Sequence, residues 1–258
     1  MSNKAAVVLC AGIGSRMGLP DNINKCATPI NDTSPVRHSV VSLVDAGFFN
    51  IIVVLGHAQA SVRETLRDIP NSVINFVVNN RYCFHGCNYS IACGVLALED
   101  NIDQLLITEG DSLLHPDSTR LLSETPDIAA SLLRSPDYID LTRSVVAIGS
   151  NELIDRYYYD RQHNGTQPGL GLNERVLGDS MQLWLFKNDV LIRLKSLLRE
   201  YKDKADNSEK PMLESGIYTI NKLASPITPV FSGKPDDWIN LNTYDDLRKA
   251  GNQSWLLK

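Results

Sequence analysis

The first half of the chain contains short, almost wholly apolar segments separated by segments with helical periodicity. The run Asn-Ile-Ile-Val-Val-Leu at 50–55 is the clearest of them, because no polar residue alternates with the apolar ones after Asn50. A strand whose two sets of alternating side chains are both apolar is buried on both faces of its sheet, which is typical of parallel sheets covered by helices. This segment therefore favours a fold of the α/β class.

The same patterns predict the remaining elements. Before residue 117, strands are predicted at Ala5–Leu9, Asn50–Leu55, Val73–Val78 and Gln104–Thr108, and helices at Val36–Ala46, Ser61–Arg67 and Asn88–Leu98. After it, strands are predicted at Ile128–Leu133, Ser144–Ile148, Leu153–Tyr159 and Met181–Phe186, and helices at Asp189–Glu200, Met212–Asn221 and Thr243–Ala250. The strand–helix alternation predicts a Rossmann-like, mostly parallel but mixed sheet flanked by helices, in a single domain of residues 1–258.

A glycine-rich loop follows the first predicted strand. It contains Gly12, Gly14 and Gly18, with Arg16 between them, and is followed by Lys25. Glycine lets the backbone approach a triphosphate and point N–H groups at it, and the two cations suit the same oxygens. The glycine spacing excludes the dinucleotide fingerprint, and Gly-Ser-Arg stands where a Walker loop has Gly-Lys-Ser or Gly-Lys-Thr. The loop therefore predicts a nucleotide site of another kind.

This ordered set resembles the signature of the nucleotidyltransferases with the GT-A-like fold, roughly Leu-Ala-Ala-Gly-x-Gly-x-Arg-Met/Leu-Gly and then Pro-Lys. Cys10 replaces the first Ala of that pattern and Asn24 replaces the Pro. The resemblance implies that Arg16 and Lys25 hold the triphosphate and stabilise the transition state. It also implies contacts to the nucleotide from Leu9, Ala11, Gly12, Gly14 and Ser15, and a first half, 1–117, that binds nucleotide.

Two further segments resemble the metal-binding motifs of that family. Glu109-Gly-Asp111 ends an apolar strand, where ligands bind in open α/β sheets, and Asp111 takes the place of the family's metal ligand. The segment 237–247, Asp-Trp-Ile-Asn-Leu-Asn-Thr-Tyr-Asp-Asp-Leu, resembles the closing motif that returns a second ligand. Asn240 and Asn242 occupy its two usual carboxylate positions. We therefore predict a Mg²⁺ site formed by Asp111 and Asn242.

The segment around residue 90 resembles the place where the family reads the base and ribose. Asn88, Ser90 and Gly94 are the predicted contacts, since headgroup cytidylyltransferases have Asn-x-x-Ser at a similar point. An ordinary serine helix cap remains the alternative reading of this segment.

The second half, 118–258, is expected to bind the acceptor and to contribute the closing helix. Three tyrosines at 157–159, together with Trp184, suit a trimethylammonium group by cation–π attraction, although tyrosines in a strand are as often ordinary β-structure. Basic side chains nearby suit a phosphate or phosphonate. The predicted acceptor residues are Tyr158, Arg161, Arg175 and Trp184.

The composition limits the kinds of partner that the chain is expected to bind. A net charge of −5 without a basic cluster argues against nucleic acid. No run reaches the ~20 apolar residues of a membrane span, and the N-terminus resembles no secretory signal. Five cysteines, whose spacings match no zinc pair, indicate reduced thiols. We expect a cytoplasmic enzyme, without nucleic-acid or membrane partners, that forms a homodimer.

Together these features predict an enzyme that joins CMP from CTP to a small phosphonate or phospho-headgroup, such as aminoethyl- or hydroxyethylphosphonate or phosphocholine, and releases pyrophosphate. A sugar-1-phosphate nucleotidyltransferase is the alternative within enzymes. A non-catalytic nucleotide-binding protein is the alternative outside them, because Asn240 and Asn242 bring no charge.

Overall fold

A computed structural model describes residues 3–83, 87–160, 162–203, 226–234 and 236–256. The helices are α1 (Pro35–Asp45), α2 (Gln59–Thr65), α3 (Cys87–Val95), α4 (Pro116–Glu124), α5 (Asn188–Asp203) and α6 (Tyr244–Gly251). The strands are β1 (Lys4–Cys10), β2 (Asn50–Leu55), β3 (Ile74–Val78), β4 (Gln104–Glu109), β5 (Ser112–Leu114), β6 (Ala129–Arg134), β7 (Val146–Ser150), β8 (Leu153–Tyr158), β9 (Arg175–Lys187), β10 (Thr228–Phe231) and β11 (Trp238–Asn240).

Within the described ranges, nine strands form one mixed sheet. Its main order is β10-β6-β9-β4-β1-β2-β3, and β7 and β8 extend from β9. The pairs among β1, β2, β3 and β4 are parallel, whereas β9 runs antiparallel to both β4 and β6. The predicted mostly parallel, mixed sheet flanked by helices is confirmed.

Alternate residues of β1 explain why this sheet carries helices on both faces. Val7 and Leu9 belong to the apolar cluster that packs under α3, and Val8 and Cys10 belong to the one under α1. Two such clusters remove the apolar side chains of both strand faces from water, which is the main favourable term for this arrangement.

Several short elements lie at the carboxyl end of β1 and β4. Two 3₁₀-helices, Ser15–Met17 and Lys25–Ala27, follow β1. β11 pairs antiparallel with β5, just beyond the carboxyl end of β4. Helix α6 starts with a capping box in which Thr243 and Asp246 exchange hydrogen bonds, so the residue before the helix is held in place.

The structure differs from the sequence-based expectation in several elements. β9 begins six residues before the predicted strand, at Arg175, and α4 has no counterpart among the predicted helices. The predicted helix at 212–221 lies outside the described residues. In the described part of the chain, no helix is long and apolar enough to cross a membrane.

Candidate active site

The loop after β1 is shaped around the side chain of Lys25. Gly14 has a φ of 67°, and a Cβ built on it would lie 3.0 Å from the Cβ of Lys25. Glycine is the residue that takes such a backbone conformation at little cost. The backbone at Gly14 therefore lies so close to the Lys25 side chain that a larger residue at position 14 would crowd it.

The side chain of Asn24 holds the loop and the segment that carries Lys25 together. Its side chain is fully buried, and its Nδ2 donates to the carbonyl oxygens of Cys10 (2.9 Å) and His57 (2.8 Å). Its Oδ1 accepts from the backbone N–H of Cys26 at 2.9 Å. Asn24 thus ties the end of β1 to the 3₁₀-helix that carries Lys25, a role that the sequence did not predict.

Four predicted residues meet at the carboxyl edge of β1 and β4. The ammonium of Lys25 forms an ion pair with the carboxylate of Asp111. The Oδ1 of Asn242 accepts from the Nη2 of Arg16 at 2.6 Å and from the Nζ of Lys25 at 3.5 Å. The structure therefore brings Arg16, Lys25, Asp111 and Asn242 together, and we call these four residues the catalytic cluster.

The charge state of Lys25 follows from its surroundings. Burial alone would lower the pKa of Lys25, but the neighbouring Asp111 carboxylate raises the pKa above its ordinary value. Lys25 is therefore held as a cation. It can stabilise negative charge that develops within reach of its ammonium.

Two residues of the catalytic cluster carry oxygens of the kind that bind a divalent cation, although in this structure Lys25 and Arg16 contact them. Asp111 supplies a carboxylate, Asn242 supplies an amide oxygen, and the buried Oδ1 of Asn240 has no hydrogen-bond partner among the described residues. The described residues contain no group of three or more His, Cys, Asp or Glu side chains suited to a metal. Mg²⁺ is commonly bound by one or two carboxylates, with water and substrate phosphates completing its shell.

The predicted base-reading segment lies in the first turns of α3. Asn88 is 4% exposed, and its Oδ1 has no partner among the described residues. The Oγ of Ser90 accepts from the Nδ2 of Asn79 at 2.9 Å. A buried acceptor without a partner is costly, so Asn88 Oδ1 is a candidate acceptor for a ligand N–H.

Gly94 lies inside the core, where tight packing accounts for the glycine without a nucleotide. A Cβ built on it would lie 2.5 Å from Val7 Cγ1 and 2.8 Å from Val54 Cγ2. Its function is the close packing of α3 on β1 and β2. Leu9 and Ala11 are also buried, beneath the loop, whereas Gly12 and Ser15 are exposed on it.

The three predicted acceptor residues that the structure describes do not join the catalytic cluster. Trp184 is fully buried in β9 and donates to the hydroxyl of Tyr157 at 3.4 Å, so it cannot form the wall of an open aromatic box. The hydroxyl of Tyr158 donates to the Thr166 carbonyl, and Arg175 is exposed, 3.6 Å from a Glu152 carboxylate oxygen. Arg161 lies outside the described residues.

Comparison with known proteins identifies a family, and the solved structures that share the fold also include a putative glucose-1-phosphate thymidylyltransferase from Bacillus anthracis. The family model of the MobA-like NTP transferase domain matches residues 6–136. The chain is 28% identical, over 162 residues and 62% of its length, to a CMP-5'-(3-aminopropyl)phosphonate synthase of Streptomyces rubellomurinus. The matched segment covers 25% of that relative, so the chain spans about a quarter of the length of the curated relatives it matches.

Two solved structures share the fold over nearly the whole chain. The CTP:phosphocholine cytidylyltransferase of Streptococcus pneumoniae superposes with a TM-score of 0.71 at 13% identity, covering 99% of this chain and 100% of that one. The inositol-1-phosphate CTP transferase of T. maritima superposes with a TM-score of 0.70 at 15% identity, covering 97% of each chain.

Proposed function

Because the chain belongs to the MobA-like NTP transferase family and is a nucleotidyltransferase, we propose that it transfers CMP from CTP to a small phosphonate or phosphate-bearing headgroup and releases pyrophosphate. The observation that carries the proposal is the catalytic cluster, in which two cations and two oxygen ligands meet at the carboxyl edge of the sheet. The proposed acceptors are supported by one relative, a CMP-5'-(3-aminopropyl)phosphonate synthase, and by one solved structure of the same fold, a CTP:phosphocholine cytidylyltransferase.

In the proposed reaction, an anionic oxygen of the acceptor attacks the α-phosphorus of CTP. A new P–O bond forms, the bond from the α-phosphorus to the bridging oxygen breaks, and pyrophosphate leaves. The attacking oxygen is already charged, so no general base is needed. Catalysis then consists of positioning and of stabilising charge on the transferring phosphate.

Each residue of the catalytic cluster has its own role in the proposed reaction. Arg16 and Lys25 hold the triphosphate oxygens and stabilise the charge that develops on them. Asp111 and Asn242 would hold Mg²⁺, which when bound neutralises charge on the phosphates. Asn24 positions Lys25, and the exposed backbone of Gly12 and its neighbours faces the phosphates.

The test measures pyrophosphate release with Mg²⁺, pairing each of the four ribonucleoside triphosphates with phosphonates, phosphocholine and sugar 1-phosphates. We expect turnover with CTP and a small phosphonate or phosphate headgroup. Asp111→Asn should lower kcat by about 10²–10³-fold, in the range seen when one preorganised charge-stabilising group is lost. The exposed Asp32→Asn is the control and should leave the rate unchanged.

Two outcomes would contradict the proposal. Turnover only with sugar 1-phosphates would assign the chain to the alternative acceptor class. Nucleotide binding without turnover on any acceptor, unaffected by Asp111→Asn in the absence of Mg²⁺, would indicate a binding protein.

A further inference from the structure

The carboxylate of Asp246 links the catalytic cluster to a distant part of the chain. Asp246 is 2% exposed and lies in the first turn of α6. Its Oδ2 accepts from the backbone N–H of Asn242 at 3.0 Å and from that of Thr243 at 2.9 Å. Its Oδ1 accepts from the Nη2 of Arg143, 103 residues away, at 2.7 Å. One oxygen therefore holds the start of the closing segment, and the other holds an arginine from another part of the fold.

The bonds to Oδ2 fix the backbone of Asn242. Asn242 is the member of the catalytic cluster that the closing segment contributes, and its side chain reaches Arg16 and Lys25. Its backbone N–H donates to the Asp246 side chain and not to a neighbouring strand. If that carboxylate turned away, the side chain of Asn242 could move relative to the two cations. A displacement of about 1 Å in a positioned group can lower a rate about 10²-fold.

The ion pair with Arg143 keeps the carboxylate from turning. The torsion about the Cβ–Cγ bond of an aspartate has broad minima, so bonds to one oxygen alone fix the orientation of the carboxylate poorly. Arg143 bonds the second oxygen, and a hydrogen bond between charged groups is roughly twice as strong as a neutral one. Because Asp246 is buried, water and salt screen this attraction less than at an exposed pair. Arg143 thereby determines which way Oδ2 faces.

Arg143 is itself held by a closed turn. Its backbone N–H donates to the carbonyl of Asp140 at 2.8 Å, and the carboxylate of Asp140 accepts from the N–H and the hydroxyl of Thr142. The next residue, Ser144, donates from Oγ to Asp179 Oδ2 at 2.8 Å, and Asp179 belongs to β9. The turn is therefore attached to the main sheet, and the ion pair of Arg143 attaches α6 to the turn.

We propose that Arg143 is a positioning residue of the catalytic cluster, which acts through Asp246 to hold the amide oxygen of Asn242 in place. In the described part of the chain, its side chain bonds to Asp246 rather than to a member of the catalytic cluster. The effect on the backbone of Asn242 is independent of the reaction, whereas the effect on catalysis rests on the proposed function. No sequence motif marked Arg143, because its partner lies 103 residues further along the chain.

The first test measures amide hydrogen exchange at Asn242 and Thr243 in the full chain without nucleotide. In Arg143→Gln the acceptor of these two N–H groups is free to turn. We expect their exchange to be about fivefold faster or more, the factor that corresponds to the loss of a typical net hydrogen bond. Arg248→Gln is the matched control, since Arg248 lies on the same helix, is exposed and pairs with Asp245. Exchange in the control should be unchanged.

The second test measures how CTP binding, by calorimetry, and pyrophosphate release depend on the Mg²⁺ concentration. Arg143→Gln should raise the Mg²⁺ midpoint of both about tenfold, since partners that orient a metal ligand contribute about 10–100-fold. Arg143→Lys keeps a cation beside Asp246 and should recover most of the loss. Arg37→Gln breaks another ion pair between distant segments, with Asp68, and controls for a general loss of stability. Its Mg²⁺ midpoint should not change.

Combined substitutions test the route through Asp246. Asp246→Asn keeps an oxygen for the N–H of Asn242 but removes the charge that pairs with Arg143. It should raise the Mg²⁺ midpoint as Arg143→Gln does, and the double variant should be no worse than either single variant. Additive effects would show that Arg143 does not act through Asp246. If Arg143→Gln does not fold, Asp246→Asn supplies both the exchange and the Mg²⁺ measurements.

Failure of the positioning role and failure of the proposed function give different results. Unchanged exchange at Asn242 in Arg143→Gln would overturn the positioning role whatever the activity. Faster exchange with an unchanged Mg²⁺ midpoint would also overturn it, because the amide oxygen would then not depend on the backbone bond. A raised Mg²⁺ midpoint of CTP binding, in a chain that releases no pyrophosphate with any acceptor, would support the positioning role and refute the proposed function alone.

Discussion

At the scale of single residues, the departures from the family pattern are the most informative positions. Asn24 stands where the pattern has proline, and its side chain donates to two backbone carbonyl oxygens and accepts from one backbone N–H. The sequence marked this position as a departure only. Its bonding could not be predicted, because one partner, His57, belongs to another loop.

Asn24→Ala is expected to lower the free energy of unfolding by about 2–4 kcal/mol, since it removes the side-chain hydrogen bonds to Cys10, His57 and Cys26 at a buried position. Because Lys25 is then less well positioned, the KM for CTP should also rise. Urea denaturation and steady-state kinetics measure the two effects. Asn22→Ala, at an exposed position of the same loop, should change neither, and equal behaviour of the two variants would show that Asn24 is not an anchor.

A substitution at Asn242 is expected to strengthen Mg²⁺ binding instead of weakening a function. Its Oδ1 lies against Arg16 and Lys25, so a carboxylate at the same place would meet two cations. If the catalytic cluster holds Mg²⁺, Asn242→Asp adds a charged oxygen ligand and should lower the Mg²⁺ concentration for half-maximal activity about tenfold. A titration of activity against Mg²⁺ checks this, and an unchanged or higher midpoint would remove Asn242 from the metal site.

At the scale of elements, apolar patterns predicted the strands whose side chains form the apolar core. They did not predict strands that bury polar side chains or that have only three residues. The predicted segments at 5–9, 50–55 and 104–108 lie within β1, β2 and β4. The first part of β9 was missed because it carries Asp179 and Ser180, which are buried through hydrogen bonds rather than through apolar character. β5 and β11 have three residues each, too few to show a period.

Gly94 shows that a glycine required for packing a helix on a sheet can resemble a residue of a binding motif. Substitution by alanine would place a methyl group 2.5 Å from Val7 Cγ1, which forces α3 away from the sheet. We expect Gly94→Ala to destabilise the fold by about 1–3 kcal/mol, the usual cost of overpacking. Gly233→Ala, where a Cβ meets nothing within 4 Å, is the control in urea denaturation. A neutral Gly94→Ala would contradict the view that close packing requires this glycine.

At the scale of the whole molecule, the catalytic cluster joins distant parts of the chain. Arg16 and Asn242 are 226 residues apart, and the Leu241 N–H donates to the Asp111 carbonyl at 3.1 Å. The sequence predicted each member from its own motif, and the resemblance implied that they meet. The contacts among them depend on how β11 pairs with β5, which no local pattern specifies.

Because Arg16 contacts Asn242, nucleotide binding is expected to slow amide hydrogen exchange in both parts of the chain together. A triphosphate held by Arg16 and Lys25 should also immobilise Asn242, because that side chain bonds to both cations. In amide hydrogen exchange, CTP with Mg²⁺ should therefore slow exchange at Ser15–Met17 and at 241–243 together. In Arg16→Gln, the second segment should lose most of its added protection, whereas Arg248→Gln should behave as the unsubstituted chain does. Protection confined to the first half would mean that the closing segment is placed independently of the nucleotide, and that the two halves meet at the site without being coupled through it.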